Sequence, residues 1–160
     1  MVAGSITQAL VSPVSPARLW KSSFDTQNLI LKLIPDHVAS IVLLEGDGGI
    51  GSVTQFNFSK ALKDLKYVKN QVISMDNENY FFDFSLVKGR GVGTKLKSST
   101  IKSKMEATSD EGTKTTLKMD YDTLDEAPLS QEEAENIDGG VLRQTKAIKG
   151  HLQANPDAYA

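Results

Sequence analysis

The run Glu45-Gly46-Asp47-Gly48-Gly49-Ile50-Gly51 says more about the fold than any other segment of this 160-residue chain. Its four glycines within six positions resemble a phosphate-binding loop. Such loops open a helix, and a Walker loop also ends in Lys followed by Ser or Thr. Here apolar residues that include Ile41 and Leu43 precede the run, and Val53–Phe58 follows with nearly alternating polarity. The pattern predicts a strand, a glycine turn and a second strand, and it favours a structural turn over a phosphate site.

Strand-like segments recur outward from this turn at a spacing of roughly ten residues. They cover residues 3–12, 38–44, 52–59, 67–74, 80–87, 96–107 and 113–123. Asp76-Asn77-Glu78-Asn79 and Asp110-Glu111-Gly112 separate neighbouring segments, and these residue types favour turns. The spacing is typical of an antiparallel meander.

Helical patterns occupy the remaining regions. Ser15 before Pro16 is a helix start signal, and a second short helix fits residues 26–33, ahead of Pro35. Ser130 and Glu133 form a capping box before a long amphipathic helix. Its apolar stripe consists of Ala134, Ile137, Val141, Thr145, Ile148 and Leu152. The sequence therefore predicts one α+β domain over residues 1–160, a helix-grip fold. In it a curved seven-stranded antiparallel sheet wraps around the long C-terminal helix, with two short helices between the first and second strands.

The composition argues against several classes of function. Cysteine is absent, which removes disulfides and a thiol nucleophile, and two isolated histidines do not build a metal site, so we expect no metal and no cofactor. A net charge of −2 argues against nucleic acid as a main partner. The first residues carry no basic region, and no apolar run approaches the ~20 residues of a membrane span. We therefore expect no signal peptide, no membrane partner and a cytoplasmic location.

The inward faces of the predicted strands are rich in aromatic residues. Phe56 and Phe58 share one face, and Phe82 and Phe84 share another. Concave apolar sites lined by aromatic residues are the usual small-molecule pockets, although a filled core has the same periodicity. The pair Gly139-Gly140 favours a pocket, because each glycine inside a helix costs about 1 kcal/mol relative to alanine and leaves room above the helix. Close packing of a strand on the helix is the alternative.

Several motifs together resemble the class-10 pathogenesis-related proteins of plants, the family of the major birch-pollen allergen. Beside the glycine run, the matches are Ser15–Lys21, Leu65–Lys69, Ala107-Thr108 and Asn155–Tyr159. The resemblance implies a START-like helix-grip fold over a large internal cavity, in a cytosolic, monomeric, defence- or stress-related protein. It also implies binding of amphipathic ligands such as cytokinins, flavonoids and brassinosteroids. Some relatives are enzymes of alkaloid biosynthesis.

The family's pocket residues carry over unevenly. Phe58 matches a pocket aromatic residue, while Phe82 and Phe84 stand where the family often has tyrosine. Asn70 replaces an aspartate, and Gly140 replaces a residue that is often bulky. The resemblance therefore implies a pocket that is more apolar and larger than is usual in the family.

Residues that would support catalysis in the family are missing. The proposed ribonuclease activity rests on a lysine, glutamates and a tyrosine, and the alignment places Thr54, Lys97, Lys149 and His151 there. Acid–base cleavage would lack its carboxylates. The alkaloid-condensing relatives use a tyrosine and a carboxylate near residue 90, and residues 89–93 contain neither.

We predict a binding or carrier protein for small hydrophobic plant metabolites or hormones. The alternatives are a cyclase or isomerase that uses the same cavity and, disfavoured, a ribonuclease. Tyr80 and Tyr121 are expected to hydrogen-bond the ligand. His37 and Lys97 are candidate polar anchors, and a shift of one residue decides which face Lys97 takes. The predicted ligand-binding residues are Asn28, Phe56, Phe58, Tyr80, Phe82, Phe84, Ser99, Ile101, Ser103, Met105, Leu117, Met119, Tyr121, Ile137, Gly140 and Val141. The predicted glycine-rich loop consists of Gly46, Asp47, Gly48, Gly49 and Gly51.

Overall fold

The computed structural model describes residues 2–25, 29–59, 66–89, 92–93 and 95–160 of the chain, without the side chains of residues 134–141. Its elements are β1 (Ala3–Ser12), α1 (Pro16–Ser23), α2 (Leu31–Leu33), β2 (Val38–Glu45), β3 (Val53–Phe58), β4 (Tyr67–Asp76), β5 (Phe81–Lys88), β6 (Leu96–Ala107), β7 (Thr113–Thr123) and α3 (Gln131–Ala154). The predicted fold class and element order are confirmed. Part of the predicted second helix, residues 26–28, lies outside the described residues.

The described strands form one antiparallel sheet in the order β1-β7-β6-β5-β4-β3-β2. Strands β2 to β7 therefore form a meander, and the first strand, β1, pairs with β7 along its whole length. The edges of the sheet are β1 and β2. Leu96, Ile101 and Met119 have no exposed surface, and they belong to a core that also contains Ile148 and Leu152 of α3. The long helix thus packs against one face of the sheet, which we call the inner face; the opposite face is the outer face.

The glycine run forms the connection between β2 and β3, as predicted. Gly46 and Gly48 adopt φ angles of +85° and +100°, which side chains rarely tolerate. Two of the loop's backbone N–H groups are used inside it: Gly48 donates to Ser52 Oγ and Gly49 donates to Asp47 Oδ1, each at 2.9 Å. Donors that are already paired in this way are not available to a phosphate, which supports the structural role of the turn.

Helix α1 begins as the sequence predicts, although its first turn lacks one expected contact. Ser15 is the N-cap residue and Pro16 follows it, but the Ser15 side chain makes no capping hydrogen bond. At the start of α3 the capping box is complete, because Ser130 Oγ accepts from Glu133 N and the Glu133 side chain accepts from Ser130 N. Among the described residues, no helix is long and apolar enough to cross a membrane.

The C-terminal segment is fastened to α1 by side-chain hydrogen bonds. The Arg18 guanidinium donates to the carbonyl oxygens of Leu152, Asn155 and Ala158 at 2.9–3.2 Å. The Tyr159 hydroxyl donates to the Asp25 carboxylate, just beyond the end of α1. These contacts join the end of α3 to α1, and we call them the C-terminal clasp.

The clasp should make stability depend on pH in the alkaline range. The hydrogen bond to Asp25 raises the pKa of Tyr159 to about 12 from 10.0. The unfolded chain loses this proton near its ordinary pKa of 10.0, whereas the folded chain retains it up to about 12. The contribution of the Tyr159–Asp25 hydrogen bond to the free energy of unfolding is therefore complete below pH 10 and is lost as the pH rises towards 12.

We expect Tyr159→Phe to be less stable than the wild type at neutral pH. The difference should shrink as the pH rises from 10 towards 12, the interval between the two pKa values. Urea unfolding of both proteins at a series of pH values measures it. A difference that stays constant across this interval would show that the phenol and Asp25 do not share a proton-dependent contact.

Candidate functional site

An internal cavity of about 400 Å³ lies between the inner face of the sheet, α1 and α3. Strands β3, β4 and β5 contribute alternate residues to its wall, as the pleat requires. The described lining residues are Trp20, Ser23, Phe24, Ile41, Leu43, Asp47, Gly48, Thr54, Phe56, Val68, Asn70, Val72, Phe82, Phe84, Leu86, Ser103, Met105, Gln144, Thr145 and Ile148. This volume falls within the range of small-molecule sites.

An aromatic cluster forms one wall of the cavity. The ring of Trp20 on α1 and that of Phe24, the C-cap residue of α1, have centroids 4.7 Å apart. Phe24 meets Phe82 edge-on at 5.1 Å, and Phe82 lies 5.3 Å from Phe84. The indole N–H of Trp20 donates to Asn77 Oδ1 at 2.9 Å, which fixes the orientation of its ring. The wall therefore offers planar apolar surface and no free indole donor.

Asn70 is the notable polar group on the wall. Its Oδ1 atom is buried and has no hydrogen-bond partner among the described residues. Asn70 is paired with Thr54 on the neighbouring strand β3. A buried amide oxygen without a partner costs about 1–3 kcal/mol, so its presence in a native structure calls for an explanation. A hydrogen bond from a bound ligand would be one. By contrast, the Ser23 hydroxyl already donates to Leu19 O at 2.7 Å.

The cavity wall carries very little charge. Of its described lining residues, Asp47 alone has an ionisable side chain, and Asp47 is exposed in the glycine loop. No group of three or more His, Cys, Asp or Glu side chains that could hold a metal ion occurs in the described part of the chain. The geometry suits burial of an apolar molecule with few polar groups.

Several predicted site residues lie on this wall. They are Phe56, Phe82, Phe84, Ser103 and Met105, together with Asp47 and Gly48 of the glycine loop. The loop's Gly46, Gly49 and Gly51 do not line it. Phe56 and Phe84 are buried, whereas Phe82 is half-buried. The aromatic inner faces of β3 and β5 thus meet at the cavity.

Other predicted residues on the sheet do not line the cavity. Ile101, Leu117 and Met119 are almost wholly inaccessible, so they belong to packed interior. Phe58 packs against the core from the end of β3. Ser99 is also buried, and its hydroxyl has no partner in the described residues.

The two tyrosines expected to hydrogen-bond a ligand lie elsewhere. Tyr80 is not in a strand: it has a φ of +56° in the turn before β5, and its ring lies 5.6 Å from that of Trp20. Tyr121 packs over Gly4 of β1, where an added Cβ would come within 2.5 Å of the Tyr121 hydroxyl. Neither phenol belongs to the cavity wall.

The two candidate polar anchors also lie off the wall. A bulge between Leu96 and Ser98 in β6 interrupts the alternation, so that Leu96 and Ser99 both turn inward and Lys97 is exposed. His37 lies in the turn before β2, and its buried Nδ1 atom has no partner within the part of the chain that the structure describes. Of the two orientations that the sequence left open for Lys97, the structure has the outward one.

The remaining predictions lie outside what the structure describes. Asn28 is not among the described residues, and the side chains of Ile137, Gly140 and Val141 are not described either. That the pair Gly139-Gly140 leaves room for a pocket above α3 therefore stays a prediction.

Sequence reasoning missed the contributions of α1 and β2, and from β4 it named Asn70 alone, through the family resemblance. Trp20 and Phe24 stand four positions apart on a helix that packs against the sheet, which places them on one face. Val68, Asn70 and Val72 alternate in β4, and this periodicity was a usable signal for an inward face. Ile148 was assigned to the apolar stripe of α3, and it reaches the cavity as well as the core.

The fold and the cavity define a helix-grip protein with a partly open cavity of a size that suits a small molecule. The family model described as "Pathogenesis-related protein Bet v 1 family" matches residues 1–155, and the chain belongs to this family. Family membership supports a ligand-binding, defence-related protein.

Individual relatives agree with this assignment. The chain is 36% identical over 150 residues to class-10 pathogenesis-related protein 1 of Medicago sativa, which covers 91% of this chain and 92% of that protein. It is 30% identical over 149 residues to the major strawberry allergen Fra a 1.07 of Fragaria ananassa, with 92% of each covered. The crystal structure of Ara h 8.0201 superposes with a TM-score of 0.84 at 29% identity, covering 96% of this chain and 100% of that one.

A more distant structural neighbour is an enzyme. Norcoclaurine synthase from Thalictrum flavum, solved in complex with dopamine and hydroxybenzaldehyde, has a TM-score of 0.76 at 16% identity. The alignment covers 96% of this chain and 88% of that one. At this level of identity the likeness shows the shared fold alone.

The buried Asn70 Oδ1 atom, for which the described residues offer no hydrogen bond, should lower the stability of the protein. Asn70→Leu keeps the side-chain size and removes the buried oxygen, so we expect the free energy of unfolding to rise by about 1 kcal/mol. The matched control is Gln71→Leu, one position along β4 on the exposed face, where we expect a change within about 0.5 kcal/mol. Urea unfolding of both variants measures the difference. A loss of stability in Asn70→Leu alone would show that the amide has a partner in the native state.

Proposed function

We propose that this protein binds and carries a small hydrophobic plant metabolite or hormone in its internal cavity. The observation that supports this most directly is a partly open cavity of about 400 Å³, whose described wall consists mainly of apolar and aromatic side chains and carries little charge. The ligand classes implied by the resemblance are flavonoid-, cytokinin- and steroid-like molecules. A cytoplasmic location and a monomeric state belong to the same proposal.

The expected affinity follows from the apolar surface that a ligand would bury. About 200 Å² of ligand surface contributes about 5 kcal/mol at 25 cal/mol per Å². Hydrogen bonds and packing against the aromatic wall add to this, while the cost of association subtracts from it. A micromolar dissociation constant corresponds to about 8 kcal/mol, so these further contributions must add about 3 kcal/mol net. We expect affinities in this range and broad selectivity, which suits a carrier.

Asn70 would select the polar end of the ligand. Its amide offers one acceptor and one donor pair, and the group can turn over to present either. The family's aspartate at this position is replaced here by this neutral side chain, and Phe82 and Phe84 carry no hydroxyl groups. A ligand that bears one amide-compatible polar group and an otherwise apolar body is therefore favoured over a polyhydroxylated one.

An enzyme of specialised metabolism is the second candidate, and its support is the fold shared with norcoclaurine synthase. General acid–base catalysis needs a titratable group within reach of the reacting atoms. Among the described residues the wall offers Asp47 alone, at an exposed position. The geometry therefore favours binding over catalysis, and turnover of a bound candidate substrate would reverse that preference.

Trp20 provides a direct assay, because it is the only tryptophan of the chain and lines the cavity. We expect the neutral fluorescent probe N-phenyl-1-naphthylamine to bind one per chain and to quench Trp20 by energy transfer. Titration of tryptophan emission measures the dissociation constant. Emission that does not respond to the probe, with the fold intact, would contradict the proposal.

A pair of serine variants tests whether the probe occupies this cavity. Ser103 lies on the wall, so Ser103→Phe places a ring inside and should weaken probe binding about tenfold or more. Ser85 lies between Phe84 and Leu86 and so faces the other side of the sheet, and Ser85→Phe should leave binding unchanged. Circular dichroism establishes that both variants fold. Equal effects of the two substitutions would place the probe outside the cavity.

A further inference from the structure

The outer face of the sheet carries a cationic cluster formed by Tyr67, Lys69 and Lys88. Val68 and Asn70 line the cavity, so Tyr67 and Lys69 of β4 point the other way. Lys88 reaches the same face because of a bulge: Lys69 pairs with Lys88, but Asn70 pairs with Leu86. The bulge leaves Val87 as the extra residue and moves Lys88 outward, where it is exposed.

The three side chains are close to one another. The Nζ atoms of Lys69 and Lys88 lie 5.9 Å and 5.6 Å from the centroid of the Tyr67 ring. The contact of Lys88 with the phenol, with smaller contributions from the charges of both lysines, lowers the pKa of Tyr67. The two ammonium groups therefore create a positive potential at the phenolic oxygen.

This lysine pair has no acidic partner in the described part of the chain. The neighbours across β3 are amides: Gln55 pairs with Lys69, and Asn57 pairs with Tyr67. The amide of Gln55 donates to Asn57 Oδ1 at 2.7 Å, so these groups also bring no charge. Like charges directly opposite each other on neighbouring strands destabilise a sheet unless an anion offsets them.

A second lysine pair on the same sheet shows how this conflict is otherwise resolved. Lys102 and Lys118 are opposite each other on β6 and β7. Asp120 lies between them, with its carboxylate oxygens 3.4 Å from Lys102 Nζ and 3.7 Å from Lys118 Nζ. Within the described residues, Asp120 supplies the anion at one pair of facing lysines, and no carboxylate does so at the other.

We propose that Tyr67, Lys69 and Lys88 form a binding site for a phosphate dianion, either the free ion or the phosphoryl group of a small phosphate monoester. The dianion would take the place that Asp120 holds beside Lys102 and Lys118. The two ammonium groups donate charge-assisted hydrogen bonds to its oxygens, and the Tyr67 hydroxyl donates a third. This site lies on the opposite side of the sheet from the cavity and does not depend on the proposed carrier function.

The experiment follows the titration of Tyr67 by phenolate absorbance, with and without phosphate, at constant ionic strength set by chloride. Subtraction of the Tyr67→Phe curve isolates this phenol from the other three tyrosines. A bound dianion opposes formation of the phenolate, so phosphate should raise the pKa of Tyr67 in a saturable manner. Backbone amide shifts at Tyr67–Lys69 and at Gly89, measured by NMR near neutral pH, give a dissociation constant that does not rely on this titration.

Substitutions then test which lysines hold the anion. Lys69→Gln and Lys88→Gln should each weaken phosphate binding about tenfold, the loss expected for one charge-assisted hydrogen bond. The matched control Lys102→Gln removes a lysine that Asp120 already pairs, and it should leave binding unchanged. Tighter binding of phenyl phosphate than of inorganic phosphate would identify the ligand as a phosphate monoester, and equal binding would identify it as the free ion. A response that does not saturate, or that Lys102→Gln weakens equally, would overturn the proposal.

Discussion

Side chains alternate between the two faces of the sheet, and bulges interrupt this alternation. Together they determine which residues lie on the inner face and which lie on the outer face. Odd and even positions along a strand face opposite sides of the sheet, and a bulge exchanges the two sides for the residues beyond it. The bulge at Leu96 and Ser98 turns Lys97 away from the interior. The bulge beside Asn70 keeps Asn70 and Leu86 on the cavity wall while Lys69 and Lys88 come together outside. The same bulge therefore places neutral residues on the cavity wall and brings two lysines together on the outer face.

The cavity exists because helices cover the inner face without filling it. Trp20 and Phe24 approach from α1, Ile148 approaches from α3, and the space between them and the sheet stays open. The C-terminal clasp contributes, since Arg18 binds three carbonyl oxygens at the end of α3 and beyond it. By joining α1 to α3 the clasp holds in place the helix that carries one wall of the cavity.

The sequence predicted the fold well because its signals are local. The glycine run, the turn residues and the Ser130–Glu133 capping box each act within a few residues, and all three were found as predicted. The cavity wall was predicted less completely. Periodicity identifies an inward face, but it does not show whether that face meets another side chain, as Met119 does, or open space, as Phe84 does. That distinction depends on where the helices lie, which is a property of the whole chain.

The proposed function requires that an apolar ligand binds in the interior and not on the exposed apolar surface. Intermolecular NOEs between bound N-phenyl-1-naphthylamine and the methyl groups of the protein distinguish these two locations. We expect NOEs from Val72, Met105 and Ile148 on the cavity wall. NOEs confined to exposed residues such as Leu44, Ile50 and Ile73 would contradict it, because they would place the probe on the surface.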